Sequence, residues 1–139
     1  MFNAKPATRR SLSVTAISHN AATIEGLGRY LRRRVTFRAA LASEEPSEES
    51  LRSDCVVLYP DGLPARAAQR LARRLIGSPT VSLVIVVTAL PAAERQALVG
   101  SRSSINRLIF LPLPAWPWTI FATIESSLPS RDRAASRFC

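Results

Sequence analysis

Short apolar segments and segments of helical periodicity follow one another along most of the chain. Apolar runs or apolar–polar alternation predict five strands, at residues 12–18, 35–41, 54–59, 81–89 and 105–114. Apolar residues three or four positions apart predict helices between and after them, at 19–34, 65–77, 91–101 and 116–128. The acidic, proline-interrupted stretch 42–53 predicts at most a short, weak helix. This alternation predicts one layer of parallel strands with helices on both faces.

The predicted helices each have one apolar face. The inward positions of the helix at 65–77 and of the last helix are predicted at Ala68, Leu71, Ala72, Leu75, Ile120, Phe121, Ile124 and Leu128. Ile24, Leu27 and Leu31 form the face of the first helix, and Asn20 is a suitable N-cap for it. Residues 81–89 are apolar at nearly every position, which predicts a central strand buried on both sides.

Length and composition are those of one small domain. The chain has 139 residues, of which 47% are hydrophobic, and its apolar runs are shorter than the roughly 18 residues that a membrane span needs. Cys55 and Cys139 do not make a disulfide framework, so we expect reduced thiols and a cytoplasmic protein. We expect residues 1–10 and 129–139 to be flexible tails around a domain at 11–128.

The formal net charge of +9 comes almost entirely from arginine, because Lys5 is the only lysine. Such a charge favours anionic partners, which include nucleic acid, acidic protein surfaces and membrane headgroups. Spacing predicts that one exposed stripe of the third helix carries Arg66, Arg70, Arg73 and Arg74, and Arg29 and 32–34 form a second basic cluster. A solvated helix face is the alternative interpretation. No helix-turn-helix or zinc-finger motif supports a nucleic-acid module.

Three sequence segments resemble parts of one family. They are "DCVVLYPDGLP" at 54–64, "VIVVTA" at 84–89 and "FLPLPAWP" at 110–117. In this order, and with five strand–helix units, they resemble the receiver domain of bacterial response regulators over about residues 11–128. The resemblance implies a flavodoxin-like (CheY-like), doubly wound, five-stranded parallel sheet, (βα)5, and a role in two-component signalling.

The resemblance also implies a phosphorylation site, from which this sequence departs. The family holds Mg²⁺ with acids at the end of the first strand, because Mg²⁺ prefers oxygen ligands. Here that position reads Ser18, His19 and Asn20, with no carboxylate. The acceptor aspartate at the end of the third strand is matched by Tyr59, whose phenol cannot form an acyl phosphate.

Two further positions complete this comparison. The threonine that responds to phosphorylation is retained as Thr88. The lysine that contacts the phosphoryl group is matched by Leu113, or by Leu111 if the register shifts. Without its acids and its lysine, the site cannot concentrate Mg²⁺ or stabilise phosphoryl oxygens, so we expect a pseudo-receiver that is not phosphorylated and binds no metal or cofactor.

Two polar residues near this position allow a functional and a structural interpretation. Asp61 is either a displaced acceptor or a turn residue in "PDG", and the turn is favoured because no metal ligands accompany it. His19, the only histidine, is either a phosphoryl or metal site or a loop residue, and the loop is favoured. The degenerate pocket is therefore predicted at Ser18, His19, Asn20, Tyr59, Asp61, Thr88 and Leu113.

A partner-binding surface is predicted near the start of the last helix. Residues two apart cannot share a helical face, so at least one of Trp116 and Trp118 should be exposed. The resemblance places them on the surface of the fourth helix, fifth strand and fifth helix. It also matches Phe110 to the family's switch aromatic, and without phosphoryl chemistry we expect Phe110 simply to be packed. The alternative is that both indoles cover the end of the core.

These observations lead to two functional expectations. The first is a phosphorylation-independent protein–protein interaction module in bacterial signalling, whose partner is another regulatory protein or a second copy of the chain. The second is a small basic regulator that binds nucleic acid through its arginine-rich helices. We expect no enzyme, because the sequence shows no nucleophile–base pair, glycine-rich phosphate loop or metal-ligand cluster.

Overall fold

Five parallel strands form one sheet. The computed structural model describes residues 12–41, 48–99 and 108–128. The strands are β1 (Ser13–Ser18), β2 (Thr36–Leu41), β3 (Cys55–Leu58), β4 (Leu83–Thr88) and β5 (Leu108–Pro112). Their order in the sheet is β2-β1-β3-β4-β5, and every neighbouring pair is parallel. This is the order of flavodoxin-like sheets, so the predicted fold class is confirmed.

Helices follow the strands and cover both faces of the sheet. They are α1 (Ala21–Leu31), α2 (Glu48–Leu51), α3 (Ala65–Gly77), α4 (Ala92–Val99) and α5 (Pro117–Ser127). Helices α1 and α5 pack on one face, whereas α3 and α4 pack on the other. The carboxyl ends of all five strands therefore meet at one edge, where the strand–helix loops lie.

Alternate side chains of each strand enter two separate hydrophobic clusters. Cys55, Val57 and Tyr59 point to the α1/α5 side, and Val56 and Leu58 point to the α3/α4 side. All six residues of β4 are buried, as expected of a central parallel strand with a helix layer on each face. Because the side chains of the central strands are buried in these clusters, a site has to be formed by the residues that follow the strands.

Most predicted elements occur at or within three residues of their predicted bounds. Helix α3 has the predicted range, and the Asn20 side chain caps α1 by accepting from the Ala22 N–H at 2.9 Å. Ile120 and Ile124 of α5 are fully buried, while Phe121 and Leu128 are partly buried. The predicted tails, 1–10 and 129–139, lie outside the described residues, as does 42–47. No helix in the described parts of the chain has the length and apolar character that crossing a bilayer requires.

Candidate functional site

The residues that follow β1 are used to start α1. Ser18 is buried, and its Oγ accepts a hydrogen bond from the Asn20 N–H at 3.0 Å. The Asn20 side chain in turn accepts from the Ala22 N–H. Both side-chain oxygens thus satisfy backbone donors at a helix start, which would otherwise lack partners. They form a capping arrangement at the position that the resemblance matches to the family's acids.

Tyr59 belongs to the hydrophobic core. It is 8% exposed and lies in the cluster on the α1/α5 side, and its backbone N–H donates to the Ile17 carbonyl at 2.9 Å. Burial raises the pKa of its phenol to about 12, since desolvation disfavours the phenolate. At the sequence position that resembles an acceptor, the structure therefore has a buried, neutral phenol.

Asp61 joins the β3–α3 loop to the β4–α4 loop. Its carboxylate accepts from the Thr88 hydroxyl at 2.5 Å and from the Ala89 N–H at 2.9 Å. Asp61 does lie in the predicted turn, yet its side chain also makes these contacts with residues 27 and 28 positions away. The sequence interpretation missed this connection, although an aspartate and a threonine at neighbouring strand ends are a usable signal for it.

The turn after Asp61 depends on Gly62, which has φ +95° and is covered by His19. A Cβ at Gly62 would overlap the His19 imidazole, so the ring lies directly on the glycine backbone. The structure therefore brings His19 from the β1–α1 loop to the turn that carries Asp61. His19 itself is exposed.

Leu113 lies one residue beyond β5. Thr88 and Pro112 are register partners, and the Leu113 side chain that follows is 43% exposed. Leu111 instead packs against the α1/α5 cluster. Leu113 is thus the leucine that occupies the loop edge, although it has no polar group to offer there.

Few of the side chains described at this edge could act as ligands of a metal ion. The side chains described above provide one carboxylate, Asp61, and one imidazole, His19, together with hydroxyls and an amide. Among residues 12–41, 48–99 and 108–128, no group of three or more His, Cys, Asp and Glu side chains is arranged to hold a metal ion. Asp61 and Gly62 also border a cavity of about 310 Å³ between α3 and α4, whose walls are mainly apolar.

Both tryptophans are exposed, and they stack on each other. Trp116 and Trp118 are 56% and 54% exposed, with ring centroids 5.3 Å apart and planes inclined by 2°. The prediction from helical spacing was incomplete, because Trp116 is the extended N-cap residue of α5 and only Trp118 lies in the helix. An extended residue before a helix allows two indoles two positions apart to align.

The indole pair continues into an aromatic ridge, which we define as Trp116, Trp118, Tyr30 and Phe121 with the Arg34 guanidinium. The rings of Trp118 and of Tyr30 in α1 pack edge-on with their centroids 6.3 Å apart, and the centroids of Tyr30 and Phe121 lie 6.2 Å apart in the same kind of contact. Arg34 lies 3.8 Å from the Tyr30 ring centroid, a cation–π contact, and donates to the Tyr30 carbonyl at 2.7 Å. The ridge therefore runs along α1 and α5.

Phe110 is not part of this ridge. It packs with the cluster on the α3/α4 side, and the Arg95 guanidinium lies 5.4 Å from its ring centroid. Phe110 is thus packed, as one interpretation of its sequence position expects, and its membership of the partner surface with Trp116 and Trp118 stays a prediction. Strand alternation sends Phe110 to the face of the sheet opposite the one that α5 covers.

The arginines of α3 share one exposed groove, as their spacing predicts. A shallow groove of about 470 Å³ is lined by Arg66, Gln69, Arg70, Arg73 and Arg74. Arg73 also donates to the Ala97 carbonyl of α4 at 3.3 Å. In the second basic cluster, Arg32 and Arg34 lie over the rings of Phe37 and Tyr30. Part of that cluster is thus engaged within the domain.

Comparison with known proteins gives structural neighbours only. No protein-family profile matches the sequence, and no curated protein matches it. A CheY-like receiver domain from Methylobacillus flagellatus superposes with a TM-score of 0.57 at 16% identity, covering 84% of this chain and 98% of that one. The beryllofluoride-activated receiver domain of DrrB, a Thermotoga maritima response regulator, superposes with a TM-score of 0.57 at 14% identity, covering 85% of this chain and 97% of that one. Chemotaxis response regulator CheY4 of Vibrio cholerae superposes with a TM-score of 0.55 at 14% identity, covering 85% of this chain and 99% of that one. The chain thus has the fold of receiver domains.

Proposed function

We propose that this chain is a receiver-like domain that acts by binding another signalling protein, without phosphorylation of its own. Its fold is that of receiver domains, which supports a place in two-component signalling. The observation that carries the proposal is the stacked, half-exposed pair Trp116 and Trp118. Exposed tryptophan is enriched among the residues that dominate binding energy at protein interfaces.

The aromatic ridge has properties that suit a protein partner. The two indoles lie parallel and are supported by Tyr30, so they present a preordered surface and lose little side-chain entropy on binding. Arg34 adds a cationic group beside the rings. A partner that buries the indoles and places a carboxylate near Arg34 would match both features.

Independence from phosphorylation is supported by the loop edge of the sheet. Ser18 and Asn20 cap a helix, Tyr59 is buried, and Leu113 replaces a cation with an alkyl group. The same residues offer no activated nucleophile or base, so we also propose that the domain is not an enzyme. The free, buried Cys55 fits the cytoplasmic location that this role requires.

The partner test compares matched exposed side chains. The wild-type chain, a Trp116→Ala/Trp118→Ala variant and a Leu41→Ala control would be used to capture partners from the native cell extract. Leu41 is the suitable control because it is 66% exposed and lies on β2, at the edge of the sheet opposite β5, after which the tryptophans come. We expect one defined signalling protein to be lost with the double variant alone. Equal capture by all three proteins would refute the role of the indole pair.

The same proteins test whether the partner is a second copy. Sedimentation velocity of the purified wild type would show a dimer that dissociates in the double variant if the ridge binds itself. A monomer in both would exclude self-association through the ridge.

A nucleic-acid role is the second candidate, and the arginine-lined groove of α3 is the observation that favours it. If its four arginines each neutralise one phosphate, log K should fall with log[salt] at a slope of about −3.6 on duplex DNA and about −2.8 on a single strand. Fluorescence anisotropy with a duplex and a single-stranded oligonucleotide would measure this slope. An Arg66→Ala/Arg70→Ala variant should reduce it by about 2, and absence of binding at low salt would exclude this candidate.

A further inference from the structure

The cavity between α3 and α4 lies where small side chains of the two helices come together. Ala65 and Ala68 of α3 and Ala97 of α4 line it, and leucine side chains complete its apolar walls. Because an alanine side chain ends at Cβ, the helices leave a space there that larger side chains would fill. Its volume of about 310 Å³ is at the lower end of the roughly 300–1,000 Å³ that small-molecule sites have. The cavity therefore has the size and the walls of a site for a small, mainly apolar molecule.

The charged groups at this cavity are negative. Its polar side chains are the carboxylates of Asp61 and Glu94 and the amide of Gln69. No arginine of the described segments lines it, although the chain has 19 lysine and arginine residues against 10 aspartate and glutamate residues. The charge at the cavity is thus opposite in sign to the net charge of the chain.

Glu94 is the carboxylate that a ligand in the cavity can pair with. Asp61 already accepts hydrogen bonds from Thr88 and Ala89. Glu94 is exposed, and within the segments that the structure describes it makes no hydrogen bond and no ion pair. It lies in the first turn of α4, three residues before Ala97, so the two residues share one face of the helix. A group bound against Ala97 would therefore have a carboxylate beside it.

We propose that this cavity binds a small apolar molecule that carries one cationic group, such as an arylalkylammonium ion. The apolar part fills the space between the alanines, where its burial removes apolar surface from water. The ammonium group lies at the cavity mouth beside Glu94, which attracts it and repels an anion of the same size. The site is on the α3/α4 face, whereas the aromatic ridge runs along α1 and α5. The proposal therefore stands or fails independently of what binds the tryptophans.

Three probes of similar size and different charge test the site: phenethylammonium, phenethyl alcohol and phenylacetate. Each would be added to the isotope-labelled chain at constant ionic strength, and the amide resonances of Leu90, Ala97 and Leu98 would be followed by NMR. We expect these resonances to shift saturably. Phenethylammonium should bind roughly two- to five-fold more tightly than the alcohol, as a partly exposed ion pair contributes, and phenylacetate should bind more weakly than the alcohol. Absence of saturable shifts, or an equal or reversed order of Kd values, would overturn the proposal.

Variants of α4 separate the space from the charge. Ala97→Leu fills the cavity from an exposed helical position and should abolish the saturable shifts, whereas Ala93→Leu, exposed on the same helix but not lining the cavity, should bind as the wild type. Glu94→Gln should bring the Kd of phenethylammonium to that of the alcohol and leave the Kd of the alcohol unchanged. If Ala97→Leu does not fold, Ala65→Leu, at another exposed lining position, provides the same measurement. Unchanged binding by the cavity-filling variant, an equal loss in Ala93→Leu, or an undiminished preference for the ammonium in Glu94→Gln would overturn the proposal.

Discussion

Replacing Gly62 by alanine is the sharpest test of the loop geometry. Gly62 has φ +95°, a backbone conformation that an L side chain adopts only with strain. A Cβ there would also overlap the His19 imidazole. The substitution therefore perturbs the turn that carries Asp61 in two separable ways.

The two costs follow from the structure. The positive φ should cost about 1–2 kcal/mol, partly offset by the smaller conformational freedom of the unfolded alanine chain. Overlap with His19 forces an exposed ring to move, which costs its contacts with the turn and adds about 0.5–1 kcal/mol. We expect Gly62→Ala to lower the free energy of unfolding by about 2 kcal/mol. In a His19→Ala background, the same change should cost about 1 kcal/mol.

Urea unfolding of the four proteins in this double-mutant cycle measures both terms. Gly26→Ala is the matched control: Gly26 lies in α1, and a Cβ there meets no atom within 4 Å. That change should stabilise the protein by about 0.5–1 kcal/mol, as expected for alanine at an exposed helical position. A Gly62→Ala variant as stable as the wild type, or a cost that His19→Ala leaves unchanged, would refute the described contact.

Three other predictions concern single side chains. The pKa of Tyr59 is raised in the folded state, so this residue should lower the free energy of unfolding by about 2–3 kcal/mol as the pH rises from about 10 to 12, and should have no such effect below pH 10. In urea unfolding, Tyr59→Phe should lack this part of the alkaline loss. Burial, and secondarily the charge of Asp54, raises the pKa of the Cys55 thiol, so this thiol should react with Ellman's reagent only after unfolding in urea. Trp116→Ala should cost under about 2 kcal/mol, since its indole is half-exposed and loses mainly one stacking contact; a larger cost in urea unfolding would assign the indole to the core.

Local sequence signals were sufficient for the elements. The range of α3 follows from an apolar stripe bounded by Pro64 and Gly77, and the start of α1 follows from Asn20. These features act within a few residues, so periodicity and capping chemistry are enough to locate them. The strand order followed from the resemblance, because pairing between distant strands leaves no local pattern.

The site depended on contacts between distant segments. The turn at Asp61 was predictable, whereas its contact with Thr88, 27 residues away, requires that two strand ends lie side by side. Parallel stacking of Trp116 and Trp118 was missed because the spacing rule assumes that both residues are helical. The face of the sheet on which Phe110 lies was not predictable locally, because it depends on where the helices pack.

Exposure to a phosphoryl donor tests the central claim most directly. The protein would be incubated with Mg²⁺ and acetyl phosphate and analysed by intact mass, with beryllofluoride titration followed through the Ala89 amide resonance. Asp61→Asn serves as the control, since Asp61 is the carboxylate nearest the end of β3 among the residues considered for the site. We predict an unchanged mass and an unchanged Ala89 resonance. A stoichiometric, acid-labile phosphate that Asp61→Asn abolishes would contradict the account.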